Sequence, residues 1–204
     1  MTVVGVLLAG GRSERMGGED KSLIALGGKP LIAHAAARLR PQVDRLVVNA
    51  NGDPARFAFL ELPVVPDADG GYSGPLAGIL AGMDRALADA PAAQWIATVA
   101  VDTPFVPSDL VATLLAASSD VGTIRLAASN GRLHQVIGLW PAALRNKLAA
   151  WLQSGPSKAV RDFLATQPHL AVDFDTRAGL EPFFNINTPE DLERARGMMD
   201  PTGP

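Results

Sequence analysis

The chain has 204 residues, 48% of them hydrophobic and 19% charged, with a formal net charge of −3 and a pI near 5.6. That length suits one domain with a substantial core and would cramp two. The charge balance gives no general attraction for nucleic acid, so any polyanion must be gripped locally. Cysteine is absent, which excludes disulfides, thiolate zinc sites and cysteine nucleophiles and fits a reducing compartment. No charged leader precedes a long apolar segment and no run approaches a membrane span, so a cytoplasmic protein with no membrane partner is expected.

The chain opens on VVGVLLAG, short, apolar and rich in Val and Leu, which reads as a buried strand. Adjacent glycines follow, Gly10 and Gly11, then Arg12, Arg15 and Lys21 with a second pair, Gly17 and Gly18, among them. Glycines let backbone N–H groups turn toward a ligand, and cations meet phosphate oxygens. The loop is therefore a candidate polyphosphate site, with a solvated surface loop as the alternative. It matches neither GxGxxG nor the GxxxxGK loop, because Asp20 stands where the latter needs glycine.

A turn at Gly27-Gly28 leads to a helix starting near Pro30, where proline's missing N–H costs nothing. His34, among alanines, is expected to be structural. DRLVVNANGD reads as a second buried strand ending at Asn49. Because ligands in open α/β sheets bind off the carboxyl ends of strands, Asn49 is a candidate as well as an ordinary turn residue. A short helix at PARFAFL precedes a brief strand at Val64-Val65, with Asp67 just beyond it. A helix from about Leu76 to Leu87 follows.

Trp95 to Val101 is a nearly unbroken apolar run, as in a central strand buried on both faces. Asp102 follows at once. It is either a helix cap or a ligand, and Ser108-Asp109 supplies the next helix with its own cap. A carboxylate at the end of the central strand, opposite a cationic loop, suits Mg2+ bridging protein and phosphate. Two strands around a turn at Asn130-Gly131, helices in PAALRNKLAAWL and SKAVRDFLAT, and a strand at HLAVDFD complete most of the second half. FFNIN reads as a short strand before a helix capped by Thr188, with Pro189 in its first turn and Asp191 at the third position. His134 and His169 have no readable partner. The expected architecture is a three-layer α/β/α, Rossmann-like sheet, mainly parallel with at least one antiparallel strand added. It forms one domain over residues 1–198, a nucleotide-binding half of about 1–110 and an acceptor-binding half of about 111–198, with 199–204 a tail.

The LAGG…RMGG…DK loop, VVNAN, GPLAG, the apolar strand ending DTPF, and NINTPED occur in order over Leu8 to Leu192. Together they resemble the molybdenum cofactor guanylyltransferases, part of a wider nucleotidyltransferase group. The resemblance implies transfer of GMP from GTP to the phosphate of molybdopterin-bound molybdenum, with pyrophosphate released. It places Leu8, Ala9, Gly10 and Gly11 at the nucleotide, with Lys21 and Arg15 acting on its phosphates. Asn49 and Asp67 would complete the guanosine site, and Gly74, Pro75, Leu76 and Gly78 would lie against the base. Asp102 would hold Mg2+, and Asn185 and Asn187 would face the acceptor. Partners implied are GTP and Mo-molybdopterin, the proteins that insert molybdenum, and the chaperones or apo-enzymes that receive the cofactor. One departure is His134-Gln135, where relatives often carry His-Pro; it bears on the acceptor pocket.

Two alternatives stand beside this. One is a same-fold enzyme with another base or acceptor, such as a molybdopterin cytidylyltransferase or a sugar or polyol-phosphate nucleotidyltransferase. The other is a catalytically idle nucleotide-binding module, which would be expected to lack Asp102, Lys21 or the glycine pairs.

Overall fold

The computed structural model describes residues 1–10, 20–67, 74–154, 157–176 and 181–199. Its elements are β1 (Thr2–Leu8), β2 (Ala25–Leu26), β3 (Lys29–Pro30), α1 (Leu31–Leu39), β4 (Arg45–Asn49), β5 (Val64–Val65), α2 (Pro75–Asp89), β6 (Ala93–Ala100), α3 (Leu110–Ala116), β7 (Ile124–Ser129), β8 (Arg132–Pro141), α4 (Arg145–Ser154), α5 (Val160–Leu164), β9 (His169–Asp173) and α6 (Pro189–Met199). Short 3-10 turns cover Lys21–Leu23, Pro54–Leu60 and Ala142–Leu144. None of the described helices is long and apolar enough to cross a membrane.

The main sheet has seven strands in the order β5-β4-β1-β6-β8-β7-β9. β1 pairs in parallel with β4 and β6, β4 with β5, and β7 with β9; only β8 runs against its neighbours. The expected mainly parallel sheet with an antiparallel addition is thus observed. The chain steps outward from β1 to β4 and β5, then returns to place β6 on the other side of β1. Such a reversal leaves a crevice at the carboxyl ends of the central strands.

Both sheet faces are apolar, which is why β1 reads as a continuous run. Val3, Leu7, Trp95 and Val99 join one core with residues of α1 and α3. Val4, Val6, Val47 and Ile96 join another with α2, α4 and α5. Glycine sets the helix-to-sheet distance on the second face: a Cβ at Gly82 of α2 would lie 2.5 Å from Val6 Cγ2. A third, smaller core joins Leu26 and Leu31 to Phe184, Ile186 and Ala195, tying α6 to the β2–β3 hairpin. At that hairpin Gly27 and Gly28 both have positive φ (56° and 79°), the backbone a two-residue hairpin turn demands.

Some boundaries differ from the sequence expectation. FFNIN is not a strand: Ile186 N–H bonds the Asp102 carbonyl in the turn after β6 at 2.9 Å, and no ladder forms. Phenylalanine and isoleucine do alternate with asparagine as in a strand, but a single bond to the turn after β6 makes no ladder. Met199, expected in the tail, is the last residue of α6 and would lie 3.0 Å from a Cβ at Gly27. PAALRNKLAAWL begins as the last residue of β8 and a 3-10 turn before α4, and α5 occupies only the middle of SKAVRDFLAT.

Candidate active site

The carboxyl ends of β1, β4, β5 and β6 open onto a cavity of about 580 Å³, within the usual size of small-molecule sites. Leu8, Ala9 and Gly10 line it from the end of β1, Asn49 from β4, and Asp67 from beyond β5. Gly74 and Pro75 line it at the start of α2, Lys21 from the 3-10 turn, Asp102 from beyond β6, and Asn185 from the loop before α6. Ser22 and Val136 line it too and had not been singled out. Leu76 and Gly78, expected against the base, do not line it. Leu76 is fully buried in the second core, and a Cβ at Gly78 would meet Asn49 Oδ1 at 2.2 Å. Gly78 makes room for the Asn49 side chain. Gly11, Arg12 and Arg15 lie outside the described residues.

Lys21 and Asp102 meet. Lys21 Nζ donates to Asp102 Oδ2 at 2.5 Å, with the two side chains only 13% and 19% exposed. Partial burial strengthens such a pair relative to one in water. The same ammonium donates to Asn187 Oδ1 at 2.7 Å and Asn185 Oδ1 at 3.4 Å. So the asparagines from the far end of the chain close around the lysine from the first loop. They reach it because Phe184 and Ile186, alternating with them, are anchored in the third core. A capping box fixes Asn187 from the other side. Asp191 N–H donates to Thr188 Oγ1, and Asp191 Oδ2 accepts from the N–H groups of Thr188 and Asn187.

Lys21 is held from behind. Asp20 caps the 3-10 turn, accepting from Ser22 N–H at 3.0 Å and from the Ser22 hydroxyl at 2.5 Å. Its other oxygen accepts from Arg56 Nε at 2.8 Å. Arg56 donates further to the carbonyls of Asn51 and Asp53. Asn51 in turn accepts from Asp67 N–H and donates to Asp67 Oδ2 at 3.0 Å, while Asn49 Nδ2 donates to Asp67 Oδ1 at 3.0 Å. A continuous polar chain therefore runs from Asp20 to Asn49 under the cavity. Asn49 and Asp67 are buried, so these bonds satisfy groups that water does not reach.

Asp102 is not a helix cap, since α3 begins only at Leu110 and Asp109 occupies its N-cap position. Its Oδ1 is buried with no hydrogen-bond partner, an arrangement costing about 1–3 kcal/mol unless a cation completes it. The described residues hold no cluster of three or more His, Asp or Glu able to cage a metal. A single carboxylate with an uncompensated oxygen at the edge of a cavity is nevertheless what Mg2+ uses when phosphates supply its other ligands. The residues fit a divalent cation.

A smaller cleft of about 430 Å³ adjoins the cavity through Asn185 and is also lined by Asn187, Arg132, His134, Glu181 and Arg194. At its base the Ser129 hydroxyl donates to Glu181 Oε1 at 2.5 Å and lies 2.7 Å from His134 Nε2. Asn130 Nδ2 donates to Glu181 Oε2 at 2.5 Å. Burial lowers the His134 pKa, the Glu181 carboxylate opposes that, and Arg132 adds to it. His134 packs on Phe183 at 4.7 Å between ring centroids. It therefore has partners that the sequence did not disclose. His34 is structural as expected, bonding the Leu26 carbonyl at 2.8 Å.

A family model described as a MobA-like NTP transferase domain matches residues 5–171. A molybdenum cofactor guanylyltransferase from Bradyrhizobium sp. is 50% identical over 202 residues, 97% of this chain and 95% of the relative. One from Mesorhizobium japonicum is 44% identical over 200 residues, 97% and 96% of the two chains. Among solved structures, molybdopterin-guanine dinucleotide biosynthesis protein A from Archaeoglobus fulgidus superposes with a TM-score of 0.74 at 23% identity, covering 97% of this chain and 98% of that one. A Mycobacterium tuberculosis protein crystallised in complex with manganese gives 0.70 at 18% identity, covering 97% and 99%. At those identities the structures establish the fold, and the sequence relatives establish the rest: the chain belongs to the molybdenum cofactor guanylyltransferases, nucleotidyltransferases of the MobA-like family.

Proposed function

We propose that this chain transfers GMP from GTP to the terminal phosphate of Mo-molybdopterin, releasing pyrophosphate, with Mg2+ held at Asp102. The observation that carries the reading is the Lys21–Asp102 pair at the edge of a nucleotide-sized cavity. The relatives' name supplies the guanylyl group and the acceptor. In the reaction an oxygen of the acceptor phosphate attacks the α-phosphorus of GTP. A new P–O bond forms as the bond from that phosphorus to the bridging oxygen breaks, and pyrophosphate takes the electron pair.

A phosphate monoester is already ionised near neutral pH, so the enzyme needs no strong general base. That accords with a site whose described residues offer a lysine, two carboxylates and carboxamides, with the Asp67 carboxylate already bonded to Asn49 and Asn51. Alignment for in-line attack and charge neutralisation then do most of the catalysis. Backbone at Ala9 and Gly10, with the Asn49–Asp67 pair, seats the nucleoside. Lys21 neutralises phosphate charge, as would Arg15 of the same loop. Asp102 would hold the divalent cation, which would supply charge neutralisation for the triphosphate and the departing pyrophosphate. Asn185, lining both cavity and cleft, is placed to meet the acceptor, and Asn187 stands beside it. The two halves, about residues 1–110 and 111–198, act as one catalytic domain.

The test is pyrophosphate release from GTP, Mg2+ and Mo-molybdopterin, with CTP in parallel. GTP should support turnover and CTP should not; the reverse would make the chain a cytidylyltransferase. Asp102→Ala should lower kcat by at least about a thousandfold while the protein stays folded. Normal turnover by that variant at saturating Mg2+ would refute the assigned role.

A further inference from the structure

We infer that Lys21 and a divalent cation exchange at one seat. The ammonium occupies the place beside Asp102 until a metal enters, and metal entry turns Lys21 out toward the triphosphate. This rests on the reading that Asp102 takes the metal.

An ammonium has three donors, and the oxygens of Asp102, Asn187 and Asn185 face this one at 2.5, 2.7 and 3.4 Å. A carboxylate and two carboxamides are also hard oxygen donors of the type that Mg2+ and Mn2+ take. Lys21 did not build the seat. Ile186 N–H bonds the Asp102 carbonyl, Asn187 N–H bonds Asp191, and Phe184 and Ile186 are buried in the third core. The oxygens therefore stay together when the lysine leaves.

Simultaneous occupancy is unfavourable. One carboxylate cannot balance an ammonium at 2.5 Å and a dication at bonding distance, because the two cations would repel across a partly buried site. The lysine fills the seat imperfectly, too, since Asp102 Oδ1 remains without a partner. Lys21 has a flexible four-carbon stem and already lines the cavity, so displacement carries its charge into the phosphate space. Metal and nucleotide then bind cooperatively: the triphosphate gives the displaced ammonium a partner, and the metal frees it to reach that partner. Mn2+ alone meets competition from Lys21.

The experiment uses the full chain and Mn2+ alone, without nucleotide, following free Mn2+ by electron paramagnetic resonance. Lys21→Met keeps the stem and removes the charge, so it should bind Mn2+ on the order of tenfold tighter than wild type. Lys21→Gln serves equally if the methionine variant folds poorly, with thermal melting as the check. In the wild type, acylation of the Lys21 amine by an amine-reactive reagent, read by mass spectrometry, should accelerate when Mn2+ is added. Mn2+ affinity equal to or weaker than wild type in the neutral variants would overturn the exchange. Asp102→Asn should lose Mn2+ in either background. Retention there would remove the metal from Asp102 and sink the reading beneath this one, whereas loss there with unchanged Lys21→Met affinity would sink the exchange alone.

Discussion

In the larger cavity, Ala9, Asp67 and Asp102 follow strands of the parallel part of the sheet and Asn49 ends one. The smaller cleft is framed by the tip of the β7–β8 hairpin and by a loop with no ladder of its own. In the first, buried strands set side-chain positions and the polar chain from Asp20 to Asn49 locks them. In the second, one carboxylate, Glu181, joins Ser129 and Asn130 of the hairpin to the loop that bears Asn185 and Asn187, a loop anchored by Phe184 and Ile186 in the third core. The difference teaches that one half inherits its geometry from the sheet, while the other joins a hairpin to a core-anchored loop by side-chain bonds. Disturbing the first should reach both the protein's stability and its GTP site, and disturbing the second should act on the acceptor and leave GTP binding as it is.

The largest effect on this contrast is expected from Gly78→Ala. Its Cβ would stand 2.2 Å from Asn49 Oδ1 and 3.0 Å from Leu8 Cδ2, so Asn49 must shift and the bond to Asp67 must lengthen. Overpacking of this kind costs about 1–3 kcal/mol, and KM for GTP should rise about tenfold. An unchanged melting temperature with an unchanged KM would show that α2 can move away freely, and the first half would not be locked.

Glu181→Ala comes next. It cuts both hairpin bonds, so kcat/KM for the acceptor should fall about fivefold to tenfold, the scale of one or two lost hydrogen bonds. KM for GTP should hold, and Glu181→Gln should recover part of the loss by still accepting from Ser129. An equal loss for both substrates would mean that the cleft and cavity are one rigid unit, erasing the contrast.

The smallest effect concerns His134. Burial lowers its pKa below the ordinary 6.5, against the pull of Glu181. The unfolded chain therefore binds the proton more readily, and the native state loses stability as pH falls from 6.5 toward the depressed value. Well above 6.5 the imidazole is neutral in both states and this loss is absent. His134→Asn should flatten that part of the melting temperature against pH curve relative to wild type. Parallel curves for the two proteins would show that the imidazole is not held neutral by its surroundings.

How far the sequence disclosed these features follows from how local each one is. The runs VVGVLLAG, RLVVNA and WIATVAVD announce strands buried on both faces because no charged residue interrupts their apolar stretches; the one hydroxyl within them, Thr98, is satisfied by the Val136 carbonyl. Asp102 was conspicuous because a carboxylate directly follows the most apolar run. Lys21 was conspicuous as the last cation of a glycine-punctuated loop. The Thr188–Asp191 capping box was also legible, being a matter of residues three apart. FFNIN misled because its alternation is real, yet it serves to bury Phe184 and Ile186 against α6 and the β2–β3 hairpin rather than to pair with a strand. Leu76 and Gly78 were placed at the base by their motif; the structure puts one in the core and the other against Asn49.

The chain's local chemistry, then, determined the layered sheet, the carboxylate at the end of its central strand and the lysine near the end of its first loop. Each depends on residues adjacent in sequence, where apolar period, turn and cap are written directly. Tertiary structure alone decided which groups meet. Lys21 reaches Asn187 across 166 positions, Arg56 reaches Asp20 across 36, and Glu181 reaches Ser129 across 52. No periodicity encodes such contacts, because they exist only once the strand order has brought distant loops to one edge of the sheet and the small third core has fixed the last of them there.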